Sequence, residues 1–292
     1  MRKITLKRIK RYLKRLYLKN DTRYIKYMFK KKFGYKLDLK HPKTYNEKIN
    51  WIKAKYYNPL YEKCSDKILV REYIKEKGYE NLLTKVYKIY NSTDEINLDE
   101  LPNKFVIKPS HSSGGVFVVK DKKKIDFDKI KETLDRKLNE SLYTKNREWQ
   151  YKNLVPKIIV EELIESKGVL SDYKIFCFNG KAEYIYVEKN ALLPNFNIDF
   201  FDTKWNHIDV RRVGHENFPT PIPKPKKLKE MIKIAEDLSK GFAHVRVDLY
   251  CEEGKIYFGE LTFTTANGMG NFDPFEFDYE LGKDFDIEQL KK

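Results

Sequence analysis

Two adjacent segments near the end of the chain constrain its fold most strongly, because both alternate apolar with polar side chains. Residues 244–250 and 256–263 have the period-two pattern of β-strands that present one face to a core. We expect a three-residue loop, Glu252–Gly254, to join them, with its glycine in the left-handed conformation. The two segments therefore predict an antiparallel hairpin.

The predicted loop determines which side chains of the hairpin face each other. It places Arg246 opposite Glu260 and leaves Asp248 diagonal to that pair, all on one face with Thr262. A two- or four-residue loop would break this grouping, because strand register has a period of two residues. A cross-strand salt bridge on a solvated face uses the same residue types and contributes only about 0–1 kcal/mol. Because the hairpin runs into a loop with Asn267 and two glycines, we favour a metal site, and its hard oxygen ligands suit Mg²⁺ bound with nucleotide phosphates.

Positive charge is concentrated at the N-terminus. The chain has a net charge of +16, and residues 1–36 hold 15 Lys or Arg against one Asp, so residues 37–292 carry only +2. No base-reading motif follows this arm, so the charge does not predict a nucleic-acid partner. The 292 residues are 41% hydrophobic, which predicts a folded chain long enough for two subdomains with cores.

The arm itself has a helical pattern over residues 3–19, with apolar positions Ile9, Tyr12, Leu13 and Leu16 and basic residues around the rest of the cylinder. Such a helix suits the anionic inner face of a membrane, and it equally suits docking of the apolar stripe on the protein body. No stretch has the apolar length of a signal peptide or a membrane span. With three scattered cysteines, this predicts a cytoplasmic protein, peripheral at the plasma membrane if the arm binds lipid.

The remaining patterns predict a mixed α+β protein with two sheet-bearing lobes. Helices are expected at 44–57, 63–77, 128–139 and 226–238, and strands at 83–90, 104–108, 116–120, 157–164, 172–179 and 180–187. We expect four units, namely the arm, an N-terminal subdomain, a lobe with a phosphate loop and a lobe with a metal site, at residues 1–36, 37–103, 104–165 and 166–292.

Two lysines lie at positions that suit an anion. Lys108 ends an apolar strand before a loop of serines and glycines, whose backbone N–H groups can approach a phosphate. Lys174 shares a strand face with Phe176 and Phe178, so it either snorkels at a sheet edge or points into a cleft. Taken alone, each lysine is better explained as a surface residue.

In order along the chain, these segments resemble the ATP-grasp superfamily, and within it the TupA-like branch of teichuronopeptide and surface-polysaccharide biosynthesis. The resemblance covers about residues 40–280 and leaves the basic arm outside. It rests on seven motifs: KTYNEKINW at 43–51, DK and VR within 66–71, FVIKPSHSSGG at 105–115, EELI at 161–164, DYK at 172–174, VRVD at 245–248 and GELTF at 259–263.

The resemblance implies an ATP-grasp fold, with two lobes enclosing a nucleotide cleft, and a role for each matching residue. ATP phosphates would contact Lys67 and Lys108 and lie under the loop that includes Ser112, Ser113, Gly114 and Gly115. Adenine would lie beside the hinge Glu161, Glu162, Leu163 and Ile164, with Asp172 and Lys174 lining the cleft. Magnesium would bind Asp248 and Glu260, with Thr262 where the superfamily often has asparagine. Arg246 would stabilise the reacting group, with Lys174 nearby, and His111 would assist deprotonation of the acceptor.

The implied activity is a Mg²⁺- and ATP-dependent carboxylate–amine ligase that works through an acyl phosphate. Its expected substrates are a sugar-acid or polysaccharide precursor and an amine such as an amino acid, in bacterial capsule or teichuronopeptide biosynthesis. Three alternatives remain open: a sugar kinase of the same fold, a glycosyltransferase-pathway protein, and a non-catalytic adaptor at the membrane surface.

Overall fold

The structure is a computed structural model that describes residues 18–189 and 196–291. The helix predicted for residues 3–19 therefore lies almost wholly outside the described residues. The later part of the basic segment forms helix α1, Asp21–Phe33, which begins at an Asn20 cap and buries Ile25 and Phe29 in the main core. None of the helices in the described ranges has the length and apolar character needed to span a bilayer.

Helix α2, Tyr45–Lys55, begins with a capping box in which Thr44 and Glu47 satisfy each other's backbone N–H groups. The single helix predicted for residues 63–77 is wrong, because the chain forms α3, Pro59–Ser65, and α4, Val70–Glu76. The carboxylate of Asp66 accepts hydrogen bonds from the backbone of Ile68 and Leu69, at 2.8 and 2.9 Å. These local bonds favour a turn over a continuous helix.

The first sheet has four antiparallel strands in the order β1-β4-β2-β3. Helix α5, Phe127–Leu138, covers it through Ile130 and Leu134, and a short α6, Leu142–Asn146, follows. The strands are β1 Val86–Tyr90, β2 Phe105–Pro109, β3 Phe117–Val119 and β4 Ile158–Glu161. This small sheet takes β1 from residues before position 104, and the division of the chain at residues 36, 103 and 165 stays a prediction.

The second sheet has six antiparallel strands in the order β11-β10-β5-β6-β7-β8. Helix α7, Leu228–Ser239, buries its apolar stripe in the main core, and a two-stranded β9–β12 ribbon and α8, Glu276–Asp284, complete this half. The strands are β5 Ser171–Phe178, β6 Lys181–Lys189, β7 Ile198–Asp202, β8 His207–Ile208, β9 Arg211–Arg212, β10 His244–Glu252, β11 Lys255–Thr262 and β12 Phe272–Asp273.

The hairpin exists as predicted, but its loop and register differ. The turn contains two residues, Glu253 and Gly254, which both have positive φ, at 48° and 81°. A regular two-residue hairpin would set Asp248 opposite Gly259, but a bulge at this glycine shifts the register by one residue. Asp248 consequently lies opposite Glu260. The predicted loop length was wrong, and the grouping of charged side chains survives because the bulge compensates for it.

Candidate active site

Arg246 is the centre of an ionic cluster on the β10–β11 hairpin. Its Nε and Nη2 donate to the two oxygens of Asp248 at 2.7 and 2.6 Å. The same Nη2 contacts Glu260 Oε1 at 3.1 Å and donates to Thr262 Oγ1 at 3.0 Å. Thr262 in turn donates its hydroxyl hydrogen to Glu260 Oε1 at 2.9 Å. The hairpin thus holds all four predicted side chains in one hydrogen-bonded group.

Lys174 extends this cluster onto the neighbouring strand β5, where it lies opposite Asp248. Its Nζ contacts three carboxylates, those of Asp172, Asp248 and Glu188, at 2.6, 2.7 and 3.0 Å. The lysine side chain is only 8% exposed, so it points into the cluster and does not snorkel to solvent. Glu188 was not predicted, because the expected strand ended one residue before it, although its alternation with Tyr186 was a usable signal.

The cluster holds more acid than base. Four carboxylates, those of Asp172, Glu188, Asp248 and Glu260, share two cations, Lys174 and Arg246. Burial, and then the neighbouring carboxylates Asp248 and Glu188, raise the pKa of Asp172 to about 8 although Lys174 opposes this. The excess negative charge gives a divalent cation a favourable place to bind.

Glu260 is the accessible carboxylate of the cluster, with 43% of its side chain exposed. Burial would raise its pKa, but Arg246, Lys67 and Lys174 more than offset this and hold it at about 2. Its Oε2 has no hydrogen bond to any described residue, whereas both oxygens of Asp248 are engaged. In the described ranges no three His, Cys, Asp or Glu side chains form a ready metal cage. The two carboxylates fit Mg²⁺, which takes most of its ligands from phosphates and water.

Lys67 connects this cluster with the small sheet. Its backbone N–H donates to Ser110 O at 3.1 Å and its Nζ donates to Ser112 O at 2.6 Å. Burial lowers the pKa of Lys67, Lys108 lowers it further, and Glu260 raises it. Lys67 therefore interacts electrostatically both with Lys108 of the first sheet and with Glu260 of the second sheet.

Lys108, on β2, forms an ion pair with Glu161, on β4, and both side chains are less than 20% exposed. The other oxygen of Glu161 accepts a hydrogen bond from Thr84 at 3.2 Å. Lys108 is therefore held at the start of the serine- and glycine-rich loop, as a phosphate-binding lysine would require. The rest of the predicted hinge, Glu162, Leu163 and Ile164, follows β4 without a hydrogen bond or ion pair to the cluster, and Glu162 bonds the backbone of Lys85.

The loop between β2 and β3 is partly buried. Ser110, His111 and Ser112 are almost fully buried, and the hydroxyls of both serines have no hydrogen-bond partner. Such unpaired donors fit an anionic ligand better than a closed core. Burial also lowers the pKa of His111, so this histidine is neutral at pH 7 and does not lie in a solvated loop.

The tip of the loop is exposed and backed by helix α5. Gly114 and Gly115 both have positive φ, at 74° and 69°, a conformation that side chains rarely adopt. The side chain of Lys137 packs against them, and its Nζ donates to Ser113 O at 3.1 Å. Ser113 and Gly114 are thus exposed, and Gly115 is half-buried against Lys137.

The loop after β11 is fastened to α2, a contact that the sequence did not predict. Lys53 donates to Asn267 O at 3.1 Å, and Asn50 donates to Gly268 O at 2.7 Å. Ala266 and Asn267 have positive φ, at 47° and 59°. Burial lowers the pKa of Lys53 to about 8. The motif at 43–51 therefore serves to position the chain that leaves the ionic cluster.

A serine- and glycine-rich loop on the first sheet and an acidic cluster on the second sheet are the two features expected of an ATP-grasp enzyme. A family model described as TupA-like ATPgrasp matches residues 47–286. The chain belongs to the TupA-like ATP-grasp family. This membership confirms the predicted family, the predicted fold and, at the level of the family, the predicted class of ATP-dependent ligase.

Solved structures also resemble the chain, at low identity. D-alanine–D-alanine ligase from Bacillus anthracis is 19% identical with a TM-score of 0.47, over 78% of this chain and 69% of that one. The same enzyme complexed with ATP is 20% identical with a TM-score of 0.41, over 69% of this chain and 55% of that one. L-amino acid ligase from Bacillus licheniformis is 18% identical with a TM-score of 0.41, over 71% of this chain and 42% of that one. The chain therefore spans less than half of that enzyme. Among curated proteins, no sequence matches the chain.

Proposed function

We propose that the protein is a Mg²⁺- and ATP-dependent ligase that joins a carboxylic acid to an amine through an acyl phosphate. The observation that carries the proposal is the β10–β11 register, which sets Asp248 directly opposite Glu260 with Arg246 bonded to both. Lys67, bonded to the phosphate-type loop, lies within electrostatic reach of the same glutamate. A triphosphate needs this combination of cations on one side and metal-binding acids on the other.

Nucleotide binding falls to the small sheet and its loop. Lys67 and Lys108 would hold phosphate oxygens, and the backbone N–H groups of residues 113–115 would cover them. For this, Lys108 has to exchange its ion pair with Glu161 for a phosphate. The hinge at 161–164 would lie beside adenine, and Asp172 would line the cleft.

Metal binding falls to Asp248 and Glu260, with the hydroxyl of Thr262 keeping Glu260 in place. Magnesium, when bound, would neutralise charge on the transferring phosphoryl group. Asp248 can accept the metal only by sharing an oxygen that Arg246 or Lys174 now contacts.

The reaction itself requires no protein nucleophile. The substrate carboxylate oxygen attacks the γ-phosphorus and ADP leaves; the amine nitrogen then attacks the acyl carbon and phosphate leaves with the C–O electron pair. Arg246 would stabilise the charge that develops in both steps, and Lys174 would hold Asp248 in position. His111, neutral at pH 7, would accept the amine proton in this scheme.

The substrate class follows from the family resemblance. We propose that the acid is a sugar acid of a surface-polysaccharide precursor and that the amine is an amino acid. A cytoplasmic location next to the membrane suits such a precursor, and the basic segment 1–36 would supply electrostatic attraction to anionic lipid.

The test is an incubation of the protein with ATP, Mg²⁺ and pairs of uronic acids and amino acids, with hydroxylamine added in parallel to trap an acyl phosphate. We expect ADP, free phosphate and an amide as products, and a hydroxamate in the reaction that contains hydroxylamine. ADP formation with the γ-phosphate retained on the sugar would instead identify a kinase. Failure of the full-length protein to bind nucleotide would favour the adaptor alternative.

A further inference from the structure

Arg212, on the β9–β12 ribbon, is a half-buried cation without a counterion. No carboxylate lies within 4 Å of its guanidinium, and every Asp and Glu of the chain belongs to the described residues. Its Nη1 donates one long hydrogen bond, 3.3 Å, to Asn271 O, and its Cζ lies 5.2 Å above the ring of Phe272. These contacts leave most of its five N–H donors unused.

The preceding residue provides a contrast within the same strand. Arg211 forms ion pairs with Asp273 at 2.8 Å and with Glu216 at 3.5 Å, and 45% of its side chain is exposed. Arg211 therefore has the ion pairs and exposure of a surface residue, whereas Arg212 has the free donors expected of a ligand-binding residue. Partial burial of an unpaired cation costs stability, and an anionic ligand would offset this cost.

The position of Arg212 is set by the loop that leaves the ionic cluster. The guanidinium packs so closely on Gly270 that a Cβ built there would lie 1.9 Å from Nη1. That glycine is itself fixed by Asn46 of α2, which bonds both its N–H and its carbonyl, at 3.0 and 2.7 Å. The groups that influence the pKa of Arg212 after burial are Tyr186, Tyr45, Asp278 and Arg246. Arg212 therefore lies within the electrostatic influence of Arg246.

Two further polar groups share this place. Burial raises the pKa of Tyr45, whereas Thr265, Arg246 and Arg212 lower it and Asp278 raises it. The Tyr45 ring lies 5.1 Å from that of His244, which precedes Arg246 by two residues on β10. The Thr265 hydroxyl is buried and has no hydrogen-bond partner. Tyr45 already donates to His244 Nε2 at 2.8 Å, since His244 Nδ1 must donate to the carbonyl of Cys177 at 3.0 Å.

We propose that Arg212 binds the carboxylate of the acid substrate, between itself and Arg246, with the Thr265 hydroxyl as an additional donor. A carboxylate there satisfies the planar fork of Arg212 and separates two like charges. It also places the attacking oxygen next to the guanidinium assigned to the phosphoryl group. This inference rests on the proposed ligase function and specifies its substrate-binding residue.

The experiment compares wild type with Arg212→Gln, Arg212→Lys and the matched control Arg211→Gln. In the ligase assay we expect Arg212→Gln to raise KM for the acid about 10- to 100-fold, as for a lost charge-assisted hydrogen bond, with KM for ATP changed less than about twofold. Arg212→Lys keeps the charge but loses the planar fork of donors, so its KM for the acid should lie between those of wild type and Arg212→Gln. Arg211→Gln should match wild type.

A binding measurement separates this inference from the proposed function. Thermal shift and NMR titrations with Mg²⁺ and a nonhydrolysable ATP analogue would compare D-glucuronate with D-glucose, and propionate with propionamide. We expect only the carboxylates to bind wild type and Arg211→Gln, with weaker binding to Arg212→Gln. Since Arg212→Gln removes an unpaired cation, its Tm without ligand should equal or exceed that of wild type.

Three results would overturn the inference: equal carboxylate binding by Arg212→Gln and wild type, no preference of wild type for carboxylates, or a lower Tm with parallel loss of nucleotide binding. The last result would assign a structural role to Arg212. Absence of ADP formation with every acid and amine, while carboxylates still bind through Arg212, would contradict the proposed function alone.

Discussion

His244 couples the stability of the site to pH, because it is buried at the start of the strand that carries Arg246 and Asp248. Its ring lies 4.8 Å from Phe178 and 5.1 Å from Phe285, between centroids, and it is fully buried. Both ring nitrogens are used by the neutral form, Nδ1 as donor to Cys177 O and Nε2 as acceptor from Tyr45. Burial lowers the pKa of His244 from 6.5 to about 3.

The size of the effect follows from proton linkage. The unfolded chain takes up a proton at its histidine near pH 6.5, whereas the folded chain resists it until about pH 3. The stabilisation from the neutral histidine is therefore complete above pH 7 and is lost as the pH falls through this window, by about 1.4 kcal/mol per unit. Between pH 7 and pH 5 the loss amounts to about 2 kcal/mol.

The assay is urea unfolding at pH 7 and pH 5 for wild type, His244→Gln and the control His41→Gln, whose side chain is 68% exposed. Glutamine keeps a donor and an acceptor but does not titrate, so we expect its pH-dependent loss of unfolding free energy to be about 2 kcal/mol smaller than that of wild type. His41→Gln should follow wild type. Comparing variants cancels other titrating groups, such as Asp278, whose pKa burial raises to about 6. Equal pH dependence of wild type and His244→Gln would refute the reasoning.

Three further substitutions test the site and its support. Glu260→Gln should lower the rate of ADP formation at least about 100-fold. It should change the unfolding free energy by less than about 1 kcal/mol, because 43% of this side chain is exposed. A large loss of stability alongside the loss of activity would contradict the role in metal binding. Gly268→Ala should lower the unfolding free energy by about 1–3 kcal/mol in urea, because its Cβ would lie 2.6 Å from the Asn50 side chain of α2. The control Gly241→Ala meets no atom within 4 Å and should be less destabilising. Equal losses of unfolding free energy would argue against this packing. Lys108→Met should raise KM for ATP about 10-fold or more, while the surface control Lys104→Met, 51% exposed, leaves it unchanged; equal effects would remove Lys108 from the phosphate site.

Strand patterns predicted the four-stranded sheet and four strands of the six-stranded sheet, because alternation reports directly on which face of a strand is buried, but they missed β7, β8 and the β9–β12 ribbon. They could not predict the register of the hairpin, which depends on a bulge at Gly259. A built Cβ there would lie 3.0 Å from Asp248 O, a contact between strands that no local pattern contains. The helix expected at 63–77 failed for a local reason, since the Asp66 carboxylate accepts hydrogen bonds from the backbone of Ile68 and Leu69 and so forms a turn between two short helices.

Charged residues of the site were predictable where they belong to a motif and not where only tertiary packing places them. Lys67, Lys108 and Asp248 belong to motifs, and their assigned roles stay predictions. Glu188 and Arg212 were missed because their roles come from a neighbouring strand and from a loop 58 positions further along the chain, at Gly270. Glu188 had a usable signal in its alternation with Tyr186, whereas Arg212 had only a basic residue in a short strand, which by itself is typical of any surface.

The central proposition is that a triphosphate lies between lysines of the small sheet and acids of the large sheet. A crystal structure with a nonhydrolysable ATP analogue and Mg²⁺ measures this directly. We expect Lys67 and Lys108 to contact phosphate oxygens, and Asp248 and Glu260 to hold the metal ion. Phosphates bound elsewhere, or a metal that touches neither carboxylate, would contradict it.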